Sequence, residues 1–452
     1  MKKVLYITAL SFSITALLIC SFFQISYNKF NADSVIKNTS YFSSDTFKGR
    51  LPGTYENEAA ADKISELFKQ YNLEPVSSSY KEPFITTSPT KTYGDCTLSL
   101  VDSSNKQYKQ FKLGEDFKED SINFKSSSAV LSKNDLISIY KNSFLIEQNR
   151  HKYLFYVTFD KKFSFRSSFF NECDLDFAVQ ISTKTFNDIL DGLRSGYSLS
   201  VSLPYMLEQK EVFNVSGIIR GYDKNLPPLI ITAHFDHLGT DTLNNVYYGA
   251  LDNASGVSFL LELARYFSSI KMIKRDIIFV CLNCEEFGFK GSEAFAEKYS
   301  LKYPGSQVIN FDMIGSRNSP ILLVSSSETR DKDSALLDGL KDILDSDSKK
   351  YSVEYSDSSD HISFSANGFD SLTVSNGALT DIHTPYDTYE KISEAAINDV
   401  FSVVNKKILD DSYNKYLLIF YDMKTLVFFL LTSIIIIVLF AIPKKEHRII
   451  LR

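Results

Sequence analysis

The chain has 452 residues, 44% of them hydrophobic, 14% aromatic and 23% charged, which excludes a disordered, collagen-like or coiled-coil protein and leaves room for a large enzyme core with additions. Its 49 basic and 55 acidic side chains give a formal net charge of -6, and because no basic cluster lies inside the body, a nucleic-acid partner is not expected. Five cysteines are too few for a disulfide scaffold, and Cys96 with Cys173 is the one plausible bridge.

The chain begins with a segment that is long and apolar enough to cross a membrane. Residues 4–23 carry no charge and follow Lys2 and Lys3. At about 1.5 Å rise per residue, such a helix spans a hydrocarbon core of about 30 Å. We predict a signal anchor over residues 1–28, with a cleaved signal peptide as the alternative, although the cleavage site after the apolar run is poor.

Two segments of different character follow. Residues 57–71 have apolar side chains at helical spacing, which predicts a helix in the first part of the body, residues 29–84. Residues 85–205 contain short alternating stretches rich in Ser and β-forming residues, which predicts a mainly β insert.

From residue 206 to 412, apolar runs alternate with helical patterns. This alternation is typical of βαβ units and predicts an α/β fold, with a mixed, largely parallel central sheet covered by helices. The predicted strands are residues 229–234, 276–283, 308–313, 321–325 and 371–375, and the predicted helices are residues 254–267, 293–299, 334–344 and 393–408.

The last segment, residues 413–452, contains a second candidate transmembrane helix. Residues 425–442 carry no charge, and the tail after them contains Lys444, Lys445, Arg448 and Arg452. Because positive charge flanks both apolar runs, we expect both termini in the cytoplasm and the body on the other side, periplasmic or extracellular. The protein would then contact the membrane through both termini. The sequence does not define an oligomeric state.

Acidic and imidazole side chains follow three of the predicted strands. His234 and Asp236 end the first, Glu285 and Glu286 follow the second, and Asp312 follows the third. The carboxyl ends of parallel strands meet at one edge of a sheet, where ligands bind. Asp252, just before a predicted helix, and His383 lie in further loops. Two His and three carboxylates are donors that Zn²⁺ takes in proteins, whereas Ca²⁺ takes oxygen ligands.

These loops, together with SSDTFKGRLPGT near residue 43, resemble the co-catalytic zinc exopeptidase family that includes bacterial leucyl aminopeptidase, aminopeptidase Y, glutamate carboxypeptidase and the glutaminyl cyclases. The resemblance implies a phosphorylase/hydrolase-like fold and two Zn²⁺ ions per chain. In this likeness Asp252 bridges the two ions, and the peptide bond between Asp252 and Asn253 is cis. The remaining ligands are Glu286 with His383 at one site, and Asp312 with His234 at the other.

The resemblance also assigns the catalytic groups. Glu285 matches the general base, and Asp236 matches the carboxylate that orients the ring of His234. Some relatives have Tyr where this chain has Ile382, so the group that stabilises the oxyanion stays open, with Tyr386 as a candidate. His361, in a loop that matches one lining the family's site, either orients substrate or packs.

We therefore expect a membrane-anchored metallo-exopeptidase, foremost an aminopeptidase that removes N-terminal residues from peptides. A carboxypeptidase and a glutaminyl cyclase are alternatives on the same fold, although the cyclases lack the ligand that His234 supplies. A non-catalytic receptor or scaffold is the alternative from another class. The insert occupies the position where some relatives carry a protease-associated domain.

Overall fold

The computed structural model describes residues 2–158, 160, 162–330 and 332–441. The predicted helix near residue 57 is confirmed as α3, whose N-terminus is capped by Thr54, because the Thr54 hydroxyl accepts from the Asn57 N–H at 3.3 Å. A helix that the sequence did not predict, α2, precedes it. The elements of this part are α1 (Lys2–Ser26), α2 (Ala32–Phe42), α3 (Tyr55–Gln70), β1 (Glu74–Pro75) and β2 (Lys81–Lys91).

The insert is mainly β, with two sheets around one hydrophobic core. One sheet has the strand order β5-β10-β9-β8-β7 and the other β4-β3-β11-β6. The elements are β3 (Thr97–Val101), β4 (Gln107–Phe111), β5 (Phe117–Phe124), β6 (Ser128–Leu131), β7 (Leu136–Ile139), β8 (Ser143–Gln148), β9 (His151–Val157), β10 (Phe177–Ile181), α4 (Thr183–Arg194) and β11 (Ser198–Ser202).

The expected disulfide bridge is wrong. Cys96 and Cys173 are both free thiols. Cys96 directly precedes β3, whereas Cys173 lies in the turn before β10, and these strands belong to different sheets of the insert.

The C-terminal α/β part alternates strands with helices. Its elements are β12 (Tyr205–Ile219), β13 (Leu229–His234), α5 (Gly256–Ser269), β14 (Ile277–Leu282), α6 (Lys290–Tyr299), β15 (Gln307–Phe311), β16 (Ile321–Ser325), α7 (Ala335–Ser346), β17 (Tyr351–Tyr355), α8 (His361–Ala366), β18 (Asp370–Ser375) and α9 (Glu394–Ser412). The predicted strands and helices of this part are all present, with ends that shift by a few residues. Strands β12 and β17 and helix α8 were not predicted.

The central sheet has the order β1-β12-β14-β13-β15-β18-β16-β17, with β2 paired to β12. Strands β14, β13, β15 and β18 are parallel neighbours, while β12 and β16 join them antiparallel. Every residue of β13 and of β14 is buried, because helices cover both faces. The long ladder between β2 and β12 carries the chain from this sheet into the insert and back.

Two helices at the ends of the chain, α1 and α11 (Met423–Ala441), are long and apolar enough to span a membrane. A short helix, α10 (Lys415–Leu418), precedes α11. The two long helices lie side by side and antiparallel, because Tyr6 contacts Phe440 and the Ser13 hydroxyl lies 2.9 Å from that of Ser433. The predicted basic tail, residues 442–452, lies outside the described residues.

The body contacts the chain directly after α1 and directly before α11. The Lys271 N–H donates to the Tyr421 hydroxyl at 2.8 Å, and the rings of Tyr27 and Tyr421 meet edge to face at 5.4 Å between centroids. Tyr27 also contacts the ring of Tyr266 on α5. Aromatic side chains of this kind are frequent where membrane helices meet water.

Candidate metal centre

Three parallel strands deliver the site residues to one edge of the central sheet. His234 ends β13, Glu285 and Glu286 follow β14, and Asp312 follows β15. Because β13 lies between β14 and β15, the three strand ends are adjacent. Asp252 reaches the same edge from the Ala250–Ser255 turn before α5, and His383 reaches it from the loop after β18.

Asp252 lies at the centre, and its two oxygens face different partners. Oδ1 is 3.4 Å from His234 Nε2, and this nitrogen is 3.5 Å from Asp312 Oδ1. Oδ2 is 3.3 Å from His383 Nε2, which is also 3.3 Å from Glu286 Oε1. The structure therefore brings together all five side chains proposed as ligands, as two groups that share Asp252. The peptide bond after Asp252 is cis, as the resemblance implied.

These distances suit zinc. Two donor atoms bonded at about 2.1 Å to one tetrahedral ion lie about 3.4 Å apart, which is close to the 3.3 to 3.5 Å measured between the donor atoms here. Three of the buried donor atoms also have no hydrogen-bond partner among the described residues: His234 Nε2, Glu286 Oε1 and Asp312 Oδ1. Buried polar atoms are rarely left without a partner, so an ion at each group would satisfy them.

The site is also strongly acidic. Burial opposes protonation of His234 and His383, but the carboxylates around each ring raise the pKa of both well above the ordinary value. At Glu286 burial favours the neutral acid, yet His383 and His237 beside it hold its pKa below the usual range. Such a cluster of buried negative charge favours cations.

Asp236 fixes the main chain rather than one ring. Its two carboxylate oxygens accept the N–H groups of Glu285 at 3.1 Å and of Glu286 at 3.2 Å. The nearest oxygen is 3.7 Å from His234 Nδ1, which is longer than a hydrogen bond. Asp387 acts in a similar way on the Asp252 turn, accepting the N–H groups of Leu251 and Asp252 at 2.9 and 3.0 Å.

Glu285 is half-buried and lines a cleft of about 680 Å³ that also contains Asp252, Glu286, Asp312 and His383. Burial raises the pKa of Glu285 well above its ordinary value. One of its oxygens lies within 4.8 Å of donor atoms of His234 and Asp312, so its position permits either a base or a ligand. The sequence-based assignment as the base therefore stays a prediction.

Two buried residues near the site were not given a role from the sequence. Arg50 donates to the main-chain carbonyls of Phe235 at 2.6 Å and Gly249 at 2.8 Å, and so ties together the loops that follow His234 and precede Asp252. Burial lowers the pKa of Arg50 to about 10. Its signal was the motif around residue 50, which contributed to the resemblance without a stated function.

His237 is the second. Its Nδ1 lies 2.8 Å from Glu286 Oε1 and 4.0 Å from Asp252 Oδ2. Both ring nitrogens of His237 have no hydrogen-bond partner among the described residues, and donor atoms of His237, Asp252 and Glu286 all lie within 4.8 Å of one another. His237 is therefore a further candidate ligand beside Glu286, and His383, with both of its distances at 3.3 Å, is nearer to the spacing of two donors on one ion.

The structure gives the remaining candidates the following surroundings. His361 is buried and packs, with Nδ1 2.8 Å from the Thr373 hydroxyl and Nε2 2.9 Å from the Ser356 carbonyl. Ile382 lines the cleft. Tyr386 is 45% exposed and its ring lies under Lys162.

Comparisons with known proteins agree with this geometry. Residues 214–407 match peptidase family M28. The vacuolar membrane protease of Kluyveromyces lactis is 28% identical over 302 residues, which cover 59% of this chain and 32% of that protein. Aminopeptidase YwaD of Bacillus subtilis is 28% identical over 211 residues, which cover 44% of each chain. The chain therefore spans less than half the length of these curated relatives.

Solved structures share the fold. BSAP, a zinc aminopeptidase from Bacillus subtilis, has a TM-score of 0.60 at 17% identity, covering 86% of this chain and 96% of that one. The aminopeptidase from Aneurinibacillus sp. strain AM-1 has a TM-score of 0.59 at 20% identity, covering 85% and 94%. The predicted fold class is confirmed.

Proposed function

We propose that this chain, in which residues 214–407 belong to peptidase family M28, is a membrane-anchored zinc aminopeptidase that acts on peptides. The observation that carries the proposal is the position of Asp252, whose two carboxylate oxygens lie 3.4 Å from His234 Nε2 and 3.3 Å from His383 Nε2. A carboxylate shared in this way is suited to bridge two ions.

Each chain would hold two zinc ions. His234 and Asp312 would hold one ion, His383 and Glu286 the other, and Asp252 both. Zinc supplies Lewis-acid polarisation of the scissile carbonyl and activation of water at neutral pH. Asp236 supports the arrangement because it fixes the main chain of Glu286.

Glu285 is the proposed general base. It lines the same cleft as four of the proposed ligands, Asp252, Glu286, Asp312 and His383, whereas the side chain of Glu286 faces His383. Its carboxylate takes a proton from the attacking water and returns it to the leaving nitrogen. A positioned group of this kind contributes about 10²- to 10⁴-fold in rate.

The two terminal helices are proposed to span the membrane with both ends in the cytoplasm. Their antiparallel contacts, from Tyr6 with Phe440 to Tyr27 with Tyr421, support this topology because they bring both chain ends to the same side. Lys2 and Lys3 at one end and the basic tail at the other support the cytoplasmic side. The cleft would then face the periplasm or the cell exterior.

The test is hydrolysis by the purified full-length protein in detergent with zinc. We expect it to release the first residue of a peptide with a free amino terminus and to leave the N-acetylated form intact. Equal cleavage of both forms, blocked by a C-terminal amide, would identify a carboxypeptidase. Cyclisation of an N-terminal glutamine would identify the cyclase alternative, and zinc binding without any turnover would indicate a receptor or scaffold.

A further inference from the structure

One stretch of the insert lies across the metal centre. Residues 163–170, called here the crossing segment, belong to the insert because they lie between β9 and β10. Two of its side chains, Ser168 and Phe170, line the cleft with Glu285 and Asp312. The cleft is thus shared between the C-terminal α/β part and the insert.

The crossing segment contacts Glu286 twice. The Ser168 hydroxyl donates to Glu286 Oε2 at 2.5 Å. The Phe169 N–H donates to the Glu286 carbonyl at 2.8 Å. Because Oε2 is held by Ser168, the other oxygen, Oε1, is the one turned towards His383, 3.3 Å away.

It also contacts His383, the other ligand of the same group. The Arg166 N–H donates to the His383 carbonyl at 3.0 Å, and the rings of Phe165 and His383 lie at 6.0 Å with an angle of 25°. His383 has φ of 57°, in the left-handed region that a residue with a side chain adopts only when its surroundings hold it there. The contacts from the crossing segment are part of those surroundings.

Buried groups of β5 anchor the crossing segment to the insert. Asp120 accepts from the Ser167 N–H at 2.8 Å and from the Ser167 hydroxyl at 2.7 Å. The Lys118 ammonium donates to the Phe165 carbonyl at 2.9 Å. Both Asp120 and Lys118 are fully buried, so hydrogen bonds to charged groups of β5 hold the crossing segment in place.

The other group is supported differently. Asp312 Oδ2 accepts from the Ser359 hydroxyl at 2.7 Å, so a serine again holds the oxygen that does not face the ion. Ser359 and His234 both lie in the C-terminal α/β part, Ser359 just before α8 and His234 at the end of β13. In each proposed metal site a serine hydroxyl thus donates to one ligand carboxylate. The insert supplies this serine at Glu286, and the C-terminal α/β part supplies it at Asp312.

We propose that the insert completes one of the two metal sites, the one formed by Glu286 and His383, and that Ser168 is the positioning residue that sets Glu286 for its ion. The inference rests on the proposed function, because it assumes that the ions are bound. Hydrogen-bond partners of metal ligands typically contribute 10- to 100-fold in metal affinity. Loss of the Ser168 hydroxyl is expected to weaken one ion and leave the other unchanged.

The experiment measures zinc affinity of the full-length protein in detergent by competition with a chromophoric chelator. His234→Ala leaves the Glu286 and His383 site as the intact one, and His383→Ala leaves the Asp312 and His234 site. Adding Ser168→Ala should lower the affinity of the remaining ion 10- to 100-fold in the His234→Ala background and less than 2-fold in the His383→Ala background. Ser168→Thr, which keeps the hydroxyl, should restore most of the affinity.

Ser359→Ala is the matched control, and it should give the opposite pattern. Equal losses in both backgrounds on Ser168→Ala, as a general loss of structure would produce, overturn the inference, and so does no loss in either. These results leave the proposed function intact, because the parent protein still binds two ions. Failure of the parent protein to bind zinc overturns both the inference and the proposed function.

Discussion

Replacing Glu285 with glutamine tests the assignment of the base. Gln keeps the size of the side chain but accepts no proton. The change leaves in place the main-chain hydrogen bond to Asp236, which is made by the N–H of residue 285. The donor atoms measured at 3.3 to 3.5 Å all belong to other residues, so both ions should stay bound. We expect kcat to fall by about 10²- to 10⁴-fold, or about 2.7 to 5.4 kcal/mol in the activation barrier, with little change in KM.

The assay pairs steady-state hydrolysis of a free-amine peptide with a zinc count on the same preparation. Glu286→Gln is the control, because it removes the charge of the carboxylate whose Oε1 lies 3.3 Å from His383 Nε2. That variant should lose zinc, and excess zinc should partly restore its activity. If Glu285→Gln loses an ion while Glu286→Gln keeps both, Glu285 is a ligand and the two roles are exchanged. If neither variant changes hydrolysis, the active site lies elsewhere.

Three further predictions concern the metal, the topology and the fold. Elemental analysis of the purified protein should find two zinc ions per chain. A strong chelator should abolish hydrolysis until zinc is added back. A single ion that survives His234→Ala would contradict the two-site arrangement. A reporter fused after Arg452 should be active only in the cytoplasm, and activity only on the other side would refute the topology. Arg50→Met should lower the free energy of unfolding by about 3 to 5 kcal/mol, because it leaves buried carbonyls, including those of Phe235 and Gly249, without their donor. The measurement is a denaturant titration, in which a loss below about 1 kcal/mol would show that water replaces the guanidinium.

The meeting of His234, Glu286 and Asp312 at one edge of the sheet could be predicted from the sequence, because each follows a predicted strand. Apolar runs that end in His234, Glu286 and Asp312 identify buried parallel strands, and the geometry of such a sheet brings their ends together. The pattern does not depend on the details of packing. The strand ends in the structure accordingly lie within a few residues of the predicted ones.

The supports of those ligands could not be predicted in the same way. Ser168 is one serine among many in a β-rich insert, and its contact with Glu286 spans 118 positions. No periodicity encodes where the insert folds back over the cleft, since that depends on the β2 and β12 ladder and on the buried contacts of β5. His237 was given no role from the sequence, because its place in the site depends on a separation of 2.8 Å from Glu286, which sequence spacing does not define.

Strand β17 was missed for a related reason. Its burial alternates between half-buried and exposed residues, so it lacks the continuous apolar run that marks β13 and β14. It lies at the edge of the sheet, beside β16, where one face remains in contact with solvent. Edge strands of this kind carry a weak sequence signal.

The pairing of α1 with α11 has a consequence for how the protein is retained at its membrane. In the proposed topology the body is attached at two neighbouring points, and the hydroxyls of Ser13 and Ser433 join the two attachments at 2.9 Å. A protease that cut only one junction would not shed the body, since the second helix would still hold it. The double attachment also prevents the rotation of the body that a single membrane helix would allow, so the opening of the cleft keeps a fixed orientation relative to the lipid surface.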